Sequence, residues 1–179
     1  MHVLPRRCWL TTLCLALTAN ISPSLAEDGS FEYAIKATYL IKFSPFVVWP
    51  KSETEIHAFN ICIAGDDPFG SQLDKVIRDE QINNQPIVIH RLTQLSQSSD
   101  CQILYTGVMP WTAELRTAVQ GKPVLTVAED GSANEAIIQF LLVDGRVRFK
   151  IDAITAANSN LTLSSKLLTL ATSVRRPQK

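Results

Sequence analysis

Residues 31–50, FEYAIKATYLIKFSPFVVWP, form the most apolar stretch that remains once the N-terminal segment is set aside. Few side chains within residues 31–43 are polar, and Glu32 and Lys36 are spaced four apart in the order that supports a helix. Pro45 predicts the end of that helix, because proline lacks an N–H donor and disfavours a helical conformation in the residue before it. The stretch therefore predicts a largely buried helix followed by a short extended apolar run.

Residues 1–26 have the features of an export signal. Arg6 and Arg7 precede a short apolar run, and Ser24-Leu25-Ala26 matches the small-x-small pattern of a signal peptidase site. The apolar run is shorter than the roughly 20 residues that a membrane-spanning helix needs. We therefore expect cleavage after Ala26 and export without insertion in the membrane. Two alternatives are weaker. A twin-arginine signal at Arg6 and Arg7 is one, but nothing downstream requires export of a folded, cofactor-loaded protein. Lipidation of Cys14 is the other, but Thr11-Thr12-Leu13 before it lacks the small residues that a lipoprotein signal peptidase needs.

The size and charge of the remaining chain suit one domain of nearly neutral character. Removing 26 of the 179 residues leaves 153, with 15 basic and 17 acidic side chains and a net charge of −2. This length supports one sizeable core rather than two. The charge gives no electrostatic reason to expect binding to nucleic acid or to an anionic membrane. We predict a single domain over residues 27–179.

Two cysteines, Cys62 and Cys101, remain after removal of the signal. In an exported protein they are expected to form a disulfide, and the alternative is a pair of buried free thiols. The remaining histidines, His57 and His90, do not stand at ligand spacing from a cysteine or from each other. We therefore predict a Cys62–Cys101 disulfide and no metal site.

Short apolar segments alternate with helical ones in the middle of the chain. Strands are predicted at residues 59–64, 86–89, 101–105 and 123–127, and helices at residues 71–80 and 111–119. A final helix is predicted at residues 164–171, with core candidates Leu163, Leu167, Leu168 and Leu170. Strands separated by helices are typical of parallel βαβ units.

A β-hairpin is predicted after these units, with Asp144-Gly145 as its turn. Its second arm alternates, so that Val147, Phe149 and Ile151 face the core. The polar side chains of this arm then face outward: Arg146, Arg148, Lys150 and Asp152. The predicted class is α/β, with a mixed, mainly parallel sheet, helices on both faces and the C-terminal hairpin in the sheet.

The sequence does not predict a catalytic site. Asp66 and Asp67 are adjacent, whereas general acid–base pairs come from separate elements that aim them at one substrate. These residues are typical of a turn that leads into a helix. The same turn could hold an anion at the following helix. We therefore predict no enzymatic activity and no cofactor, and retain a small-ligand site at Asp66, Asp67, Phe69 and Gly70 as an alternative.

The order of these motifs resembles the YfiR-like (HmsC-like) family of periplasmic regulatory proteins. The motifs that carry the resemblance are YAIKA at 33–37, ICIAGDDPFG at 61–70, CQILY at 101–105, GKPVLTV at 121–127 and DGRVRFKID at 144–152. The chain departs from the family pattern at residues 134–137, where relatives commonly have Gly-Gly-Met-Ile, and at Lys150, where a glutamate is common. These departures bear on the partner more than on the fold.

The resemblance implies a protein that represses an inner-membrane diguanylate cyclase by binding its periplasmic domain. Such a protein controls cyclic-di-GMP and biofilm formation. Some relatives are associated with membrane histidine kinases, so the alternative is a small-ligand-binding sensor subunit for such a kinase.

Two regions are candidates for the contact with a partner. The apolar stretch has more apolar surface than one packing face requires, which is typical of an association surface, although its large side chains could equally be ordinary core. The contact would be with a membrane protein's periplasmic domain or with a second copy of the chain. The candidate residues are Ile41, Phe43, Phe46 and Trp49 in the stretch, and Arg146, Arg148 and Lys150 in the hairpin.

Overall fold

The computed structural model describes residues 26–51, 57–131 and 135–177. The predicted export signal, apart from Ala26, lies outside the described residues, and so does Asn134 at one of the two departures from the family pattern. None of the described helices combines the length and the apolar character that crossing a membrane requires.

The described chain contains five α-helices and ten short strands. The α-helices are α1 Ala26–Phe43, α2 Ser71–Ile77, α3 Ala113–Val119, α4 Ala153–Asn158 and α5 Ser165–Leu170. The strands are β1 Val47–Val48, β2 Phe59–Ala64, β3 Gln81–Ile82, β4 Gln85–Leu92, β5 Ile103–Gly107, β6 Leu125–Glu129, β7 Ile138–Val143, β8 Arg146–Asp152, β9 Thr162–Leu163 and β10 Ser173–Arg175. Two 3-10 helices lie at Ser44–Phe46 and Leu95–Asp100.

Eight of these strands form one mixed sheet in the order β10-β8-β7-β6-β5-β2-β4-β3, and β1 pairs with β9 apart from it. Strands β7, β6, β5, β2 and β4 are parallel to one another, and β10 is parallel to β8. The pairs β7–β8 and β3–β4 are antiparallel. Asp144 and Gly145 both have positive φ, at 49° and 68°, as a two-residue hairpin turn requires. The structure thus confirms a mixed α/β fold with the hairpin in the sheet.

The main core lies between α1 and one face of the sheet. Phe43 of α1 packs against two aromatic rings of the hairpin, with ring centroids 6.0 Å from Phe140 and 5.2 Å from Phe149. Ile61 of β2 and Ile103 of β5 belong to the same buried cluster. The predicted helix, buried on the side that faces the sheet, is therefore confirmed, although it begins earlier, at Ala26.

A second, smaller cluster uses the alternate residues of the same strands, which point to the opposite face. Cys62 of β2 and Leu104 of β5 pack there against Leu115 of α3. The predicted disulfide between Cys62 and Cys101 is confirmed, and its two Cα atoms are 5.8 Å apart.

Several element boundaries differ from the sequence prediction. Phe46 belongs to a 3-10 helix rather than to the extended run, which is reduced to Val47–Val48. Helix α3 begins at Ala113 because the hydroxyl of Thr112 accepts a hydrogen bond from the N–H of Leu115 and so caps the helix.

Two residues near the C-terminus have different environments from those predicted. Asp152 is buried rather than outward-facing, because its carboxylate accepts the N–H groups of Ile154 and Thr155 and pairs with Arg175. Leu170 is exposed rather than in the core, since the short helix α5 buries Leu167 instead.

Candidate functional site

The strand order reverses at one point of the sheet, between β2 and β5. The chain passes from β2 to β4 on one side and then returns to β5 on the other. The carboxyl ends of parallel strands flank a crevice at such a point, and ligands of open α/β sheets bind there. A cavity of about 380 Å³ lies at this place, lined by the end of β5, the segments that follow β2 and β5, the last residue of β6, Glu129, and Tyr33 of α1. Its volume is in the range of small-molecule sites, and we call it the switch-point cavity.

A buried charged cluster adjoins the switch-point cavity and consists of Glu32, Lys36, Tyr105 and Glu129. The Lys36 side chain is almost fully buried, and its Nζ donates to Glu129 Oε2 at 2.6 Å and pairs with Glu32. The Tyr105 hydroxyl donates to Glu129 Oε1 at 2.6 Å. A buried ammonium is tolerated only when it is paired and hydrogen-bonded. Glu129, at the end of β6, therefore ties α1 to β5.

The electrostatics around the cluster keep Lys36 and the neighbouring phenols protonated near neutral pH. Burial opposes the charge on Lys36, but its hydrogen bonds to Glu129 and Glu32 outweigh burial and raise the lysine's pKa. Burial and the negative charge of Glu129 raise the pKa values of Tyr33 and Tyr105 above their usual range. Lys36 is thus an ammonium and both phenols keep their protons, so Tyr105 acts as a donor. Two carboxylates and one ammonium leave the cluster with a net negative charge.

The turn after β2 is organised by Asp67. Asp67 Oδ1 accepts the N–H groups of Phe69 and Gly70, and Asp67 Oδ2 accepts from Arg91 Nε at 2.7 Å. Arg91 also pairs with Asp74 at 2.8 Å, and hydrogen bonds to Asp74 and Asp67 raise the pKa of Arg91. The amides and the cation that an anion would need are therefore already engaged. This geometry does not favour the anion site predicted at the turn.

The other three residues of the predicted ligand site have different environments. Phe69 is buried, with its ring centroid 4.7 Å from that of Tyr105. Gly70 is exposed on the surface, and Asp66 lines the switch-point cavity as an exposed residue. Asp66 alone of the predicted set reaches the cavity.

Asp67→Ala should lower the free energy of unfolding by about 1–2 kcal/mol, because two backbone N–H groups and Arg91 lose their acceptor. The matched variant Asp66→Ala should change it by less than about 0.5 kcal/mol, since Asp66 is exposed. Urea denaturation of the two variants measures both quantities. Equal losses in both variants would contradict the structural role assigned to Asp67.

The apolar stretch contributes mostly to the core. Ile41 and Phe43 are buried, so in this conformation neither is available to a partner. Phe46 and Trp49 are partly buried, and the Trp49 ring packs edge-on against Phe59 at 5.3 Å. The large apolar side chains of the stretch that are exposed are Phe31, which is 71% accessible, and Val48, which is 65% accessible.

The hairpin presents a different kind of surface. Arg146 and Arg148 are exposed, and each lies opposite an apolar residue of β7, at Val143 and Leu141 respectively. Residues opposite each other in an antiparallel pair share a face, and Val143 is 41% accessible. Lys150, farther along the same face, pairs with Asp130 at 3.1 Å. We call Leu141, Val143, Arg146 and Arg148 the hairpin face.

Sequence reasoning did not single out Tyr105 or Glu129, and it treated Lys36 only as a helix-stabilising residue. The available signal was a lysine between Ile35 and Ala37 in an otherwise apolar part of α1, which a buried partner would explain. Among the described residues, no group of three or more His, Cys, Asp or Glu side chains is placed to hold a metal ion.

Comparison with known proteins gives one family. A family model described as YfiR/HmsC-like matches residues 33–172. The matched range runs from Tyr33 in α1 to the residue before β10, so it includes the switch-point cavity and the hairpin face. A search of the curated proteins gives no match.

Proposed function

This chain belongs to the YfiR/HmsC-like family, and from that premise we propose that it is a periplasmic regulatory protein that acts by protein contact rather than by catalysis. Its partner is the periplasmic domain of an inner-membrane diguanylate cyclase, which it represses, so lowering cyclic-di-GMP and biofilm formation. Residues 1–26 act as the export signal and residues 27–179 form the regulatory domain. The family match over residues 33–172 is the observation that carries this proposal.

The hairpin face is the part of the molecule that best suits such a contact. It combines accessible apolar surface at Val143 with two exposed positive charges, Arg146 and Arg148. Protein interfaces commonly join an apolar centre to a charged rim, and complementary charge speeds encounter and sets specificity. The expected partner surface is therefore acidic around an apolar centre.

A ligand-sensing subunit for a membrane histidine kinase is the second candidate function. The switch-point cavity supports it, because a cavity of about 380 Å³ at the ends of parallel strands has the size and position of a small-molecule site. The two functions differ in the membrane protein that is bound.

Co-purification from membranes tests the proposed contact. Wild-type protein carrying an affinity tag should retain a diguanylate cyclase, and the double variant Arg146→Glu/Arg148→Glu should bind it at least about tenfold more weakly, because both charges are reversed. The control Arg78→Glu reverses an exposed arginine outside the hairpin face and should bind as wild type does. Retention of a histidine kinase in place of a cyclase would reject the cyclase as partner.

A further inference from the structure

We propose that the switch-point cavity binds a small organic cation with an apolar body. Such binding is a property of this chain alone and does not depend on which membrane protein it contacts. The size and position of the cavity, the nature of its walls and the sign of the charge around it point to this ligand class.

The walls of the cavity are largely apolar and aromatic. The apolar and aromatic residues that line it are Tyr33 of α1, Pro68 of the turn after β2, Tyr105 of β5, and Val108 and Met109 of the loop after β5. Aromatic faces and a thioether are polarisable surfaces that contact both hydrocarbon and a cation favourably. These walls suit a ligand with a compact apolar portion.

The loops that shape the cavity depend on a glycine. Gly65, directly after β2, has φ of +78°, and a Cβ added there would lie 2.9 Å from the Met109 terminal methyl carbon. Glycine therefore lets the Met109 side chain close against the end of β2. Met109 is one of the lining residues, so this contact bears on one wall of the cavity.

The charge at the cavity is negative. Glu129 lines it with 13% of its side chain accessible, and Asp66 lines it as an exposed residue. The ammonium of Lys36 is already balanced by Glu32 and Glu129 together, so the cluster keeps an excess of one negative charge. The described residues that line the cavity include no lysine or arginine. An anion would be repelled here, and a cation would be attracted.

The protein already holds one alkylammonium in this environment. Lys36 Nζ lies 4.7 Å from the centroid of the Tyr33 ring while it pairs with two carboxylates. Both oxygens of Glu129 already accept hydrogen bonds, from Lys36 and Tyr105, so a ligand ammonium would pair directly with Asp66 and be attracted by Glu129 through its charge. Its apolar portion would lie against Met109 and Val108, beside the Tyr33 ring. Such a ligand is a primary or substituted amine of about ten non-hydrogen atoms, given the cavity volume.

Three probes of nearly the same shape and different charge test the proposal: phenethylammonium, 2-phenylethanol and 3-phenylpropanoate. Each is titrated into the purified exported protein while the backbone amide signals are followed by NMR. Phenethylammonium should shift the signals of Gly65, Asp66 and Val108 saturably. The neutral and the anionic probe should bind at least about tenfold more weakly, because each lacks the charge that the carboxylates attract.

Two charge-reversal variants locate the binding. Asp66→Lys should lower the affinity for phenethylammonium about fivefold to tenfold. The substitution replaces an attractive charge at an exposed position with a repulsive one. Asp79→Lys reverses an exposed carboxylate that does not line the cavity and should leave the affinity unchanged. Absence of saturable phenethylammonium binding, equal binding of the neutral probe, or equal affinity in Asp66→Lys would each overturn the proposal.

Discussion

Replacing Lys36 by methionine should lower the free energy of unfolding at pH 7 by about 3–5 kcal/mol, which is the cost of removing one partner of a buried ion pair. The Lys36 side chain is only 3% accessible, and it lies between Glu32 and Glu129. Its removal leaves two carboxylates, 25% accessible at Glu32 and 13% at Glu129, without a cation between them. The hydrogen bond from Tyr105 to Glu129 remains but cannot neutralise that charge.

The same substitution on the same helix provides the control. Lys42 pairs with Glu80 at 3.8 Å, and both side chains are largely exposed. Lys42→Met should therefore cost less than about 0.5 kcal/mol, as exposed ion pairs do. Urea denaturation at pH 7 compares the two variants. Equal costs for Lys36→Met and Lys42→Met would show that the buried cluster does not stabilise the fold.

The pKa shifts in the cluster also set the sign of its pH dependence. Lys36, Tyr33 and Tyr105 have pKa values raised in the folded state, so the folded protein retains protons that the unfolded chain loses above about pH 10. Their stabilising contribution is complete below that pH and is lost as the pH rises further. Wild-type stability should therefore fall above about pH 10, and the fall should be shallower in Lys36→Met/Tyr105→Phe.

Loss of the Cys62–Cys101 disulfide should lower the free energy of unfolding by about 4 kcal/mol in the chain-entropy model. The two cysteines are 39 residues apart in sequence, so the bond removes much conformational freedom from the unfolded chain. Both are buried in the smaller cluster beside Leu104 and Leu115, where reduction leaves the packing in place. Loss of the disulfide therefore lowers stability mainly by giving the unfolded chain more conformational freedom.

Urea denaturation with and without a reducing agent measures this effect. The wild-type midpoint should drop on reduction, whereas Cys62→Ala/Cys101→Ala should denature at the lower midpoint under both conditions. Two free thiols in protein recovered from the periplasm, or a wild-type midpoint that is insensitive to reduction, would contradict the predicted contribution of the disulfide to stability.

The sequence predicted those parts of the fold that are specified by residues close together in the chain. Helix α1 follows from its apolar pattern, β2 from a β-branched run that ends in Gly65, and the hairpin from the Asp144-Gly145 turn. Strand β10 was missed because Ser173-Val174-Arg175 has little apolar character and is specified by pairing with β8. Such pairing depends on contacts that are distant in sequence.

Less of the candidate site than of the fold could be predicted, because its residues are also brought together from distant parts of the sequence. Asp66 was identified from the turn after β2, but Glu129 becomes relevant only when β6 places it beside Lys36, 93 residues away. The apolar side chains Ile41 and Phe43 suit a core and an interface equally well by composition. Only the packing of α1 on the hairpin distinguishes the two.

The claim that this protein restrains a diguanylate cyclase is tested most directly by cyclic-di-GMP in source cells that lack its gene. We expect cyclic-di-GMP to rise on deletion and to return to the parental level when the wild-type protein or Arg78→Glu is supplied. The hairpin-face variant Arg146→Glu/Arg148→Glu, exported and folded, should fail to restore it. An unchanged cyclic-di-GMP level in the deleted cells would contradict the proposed function.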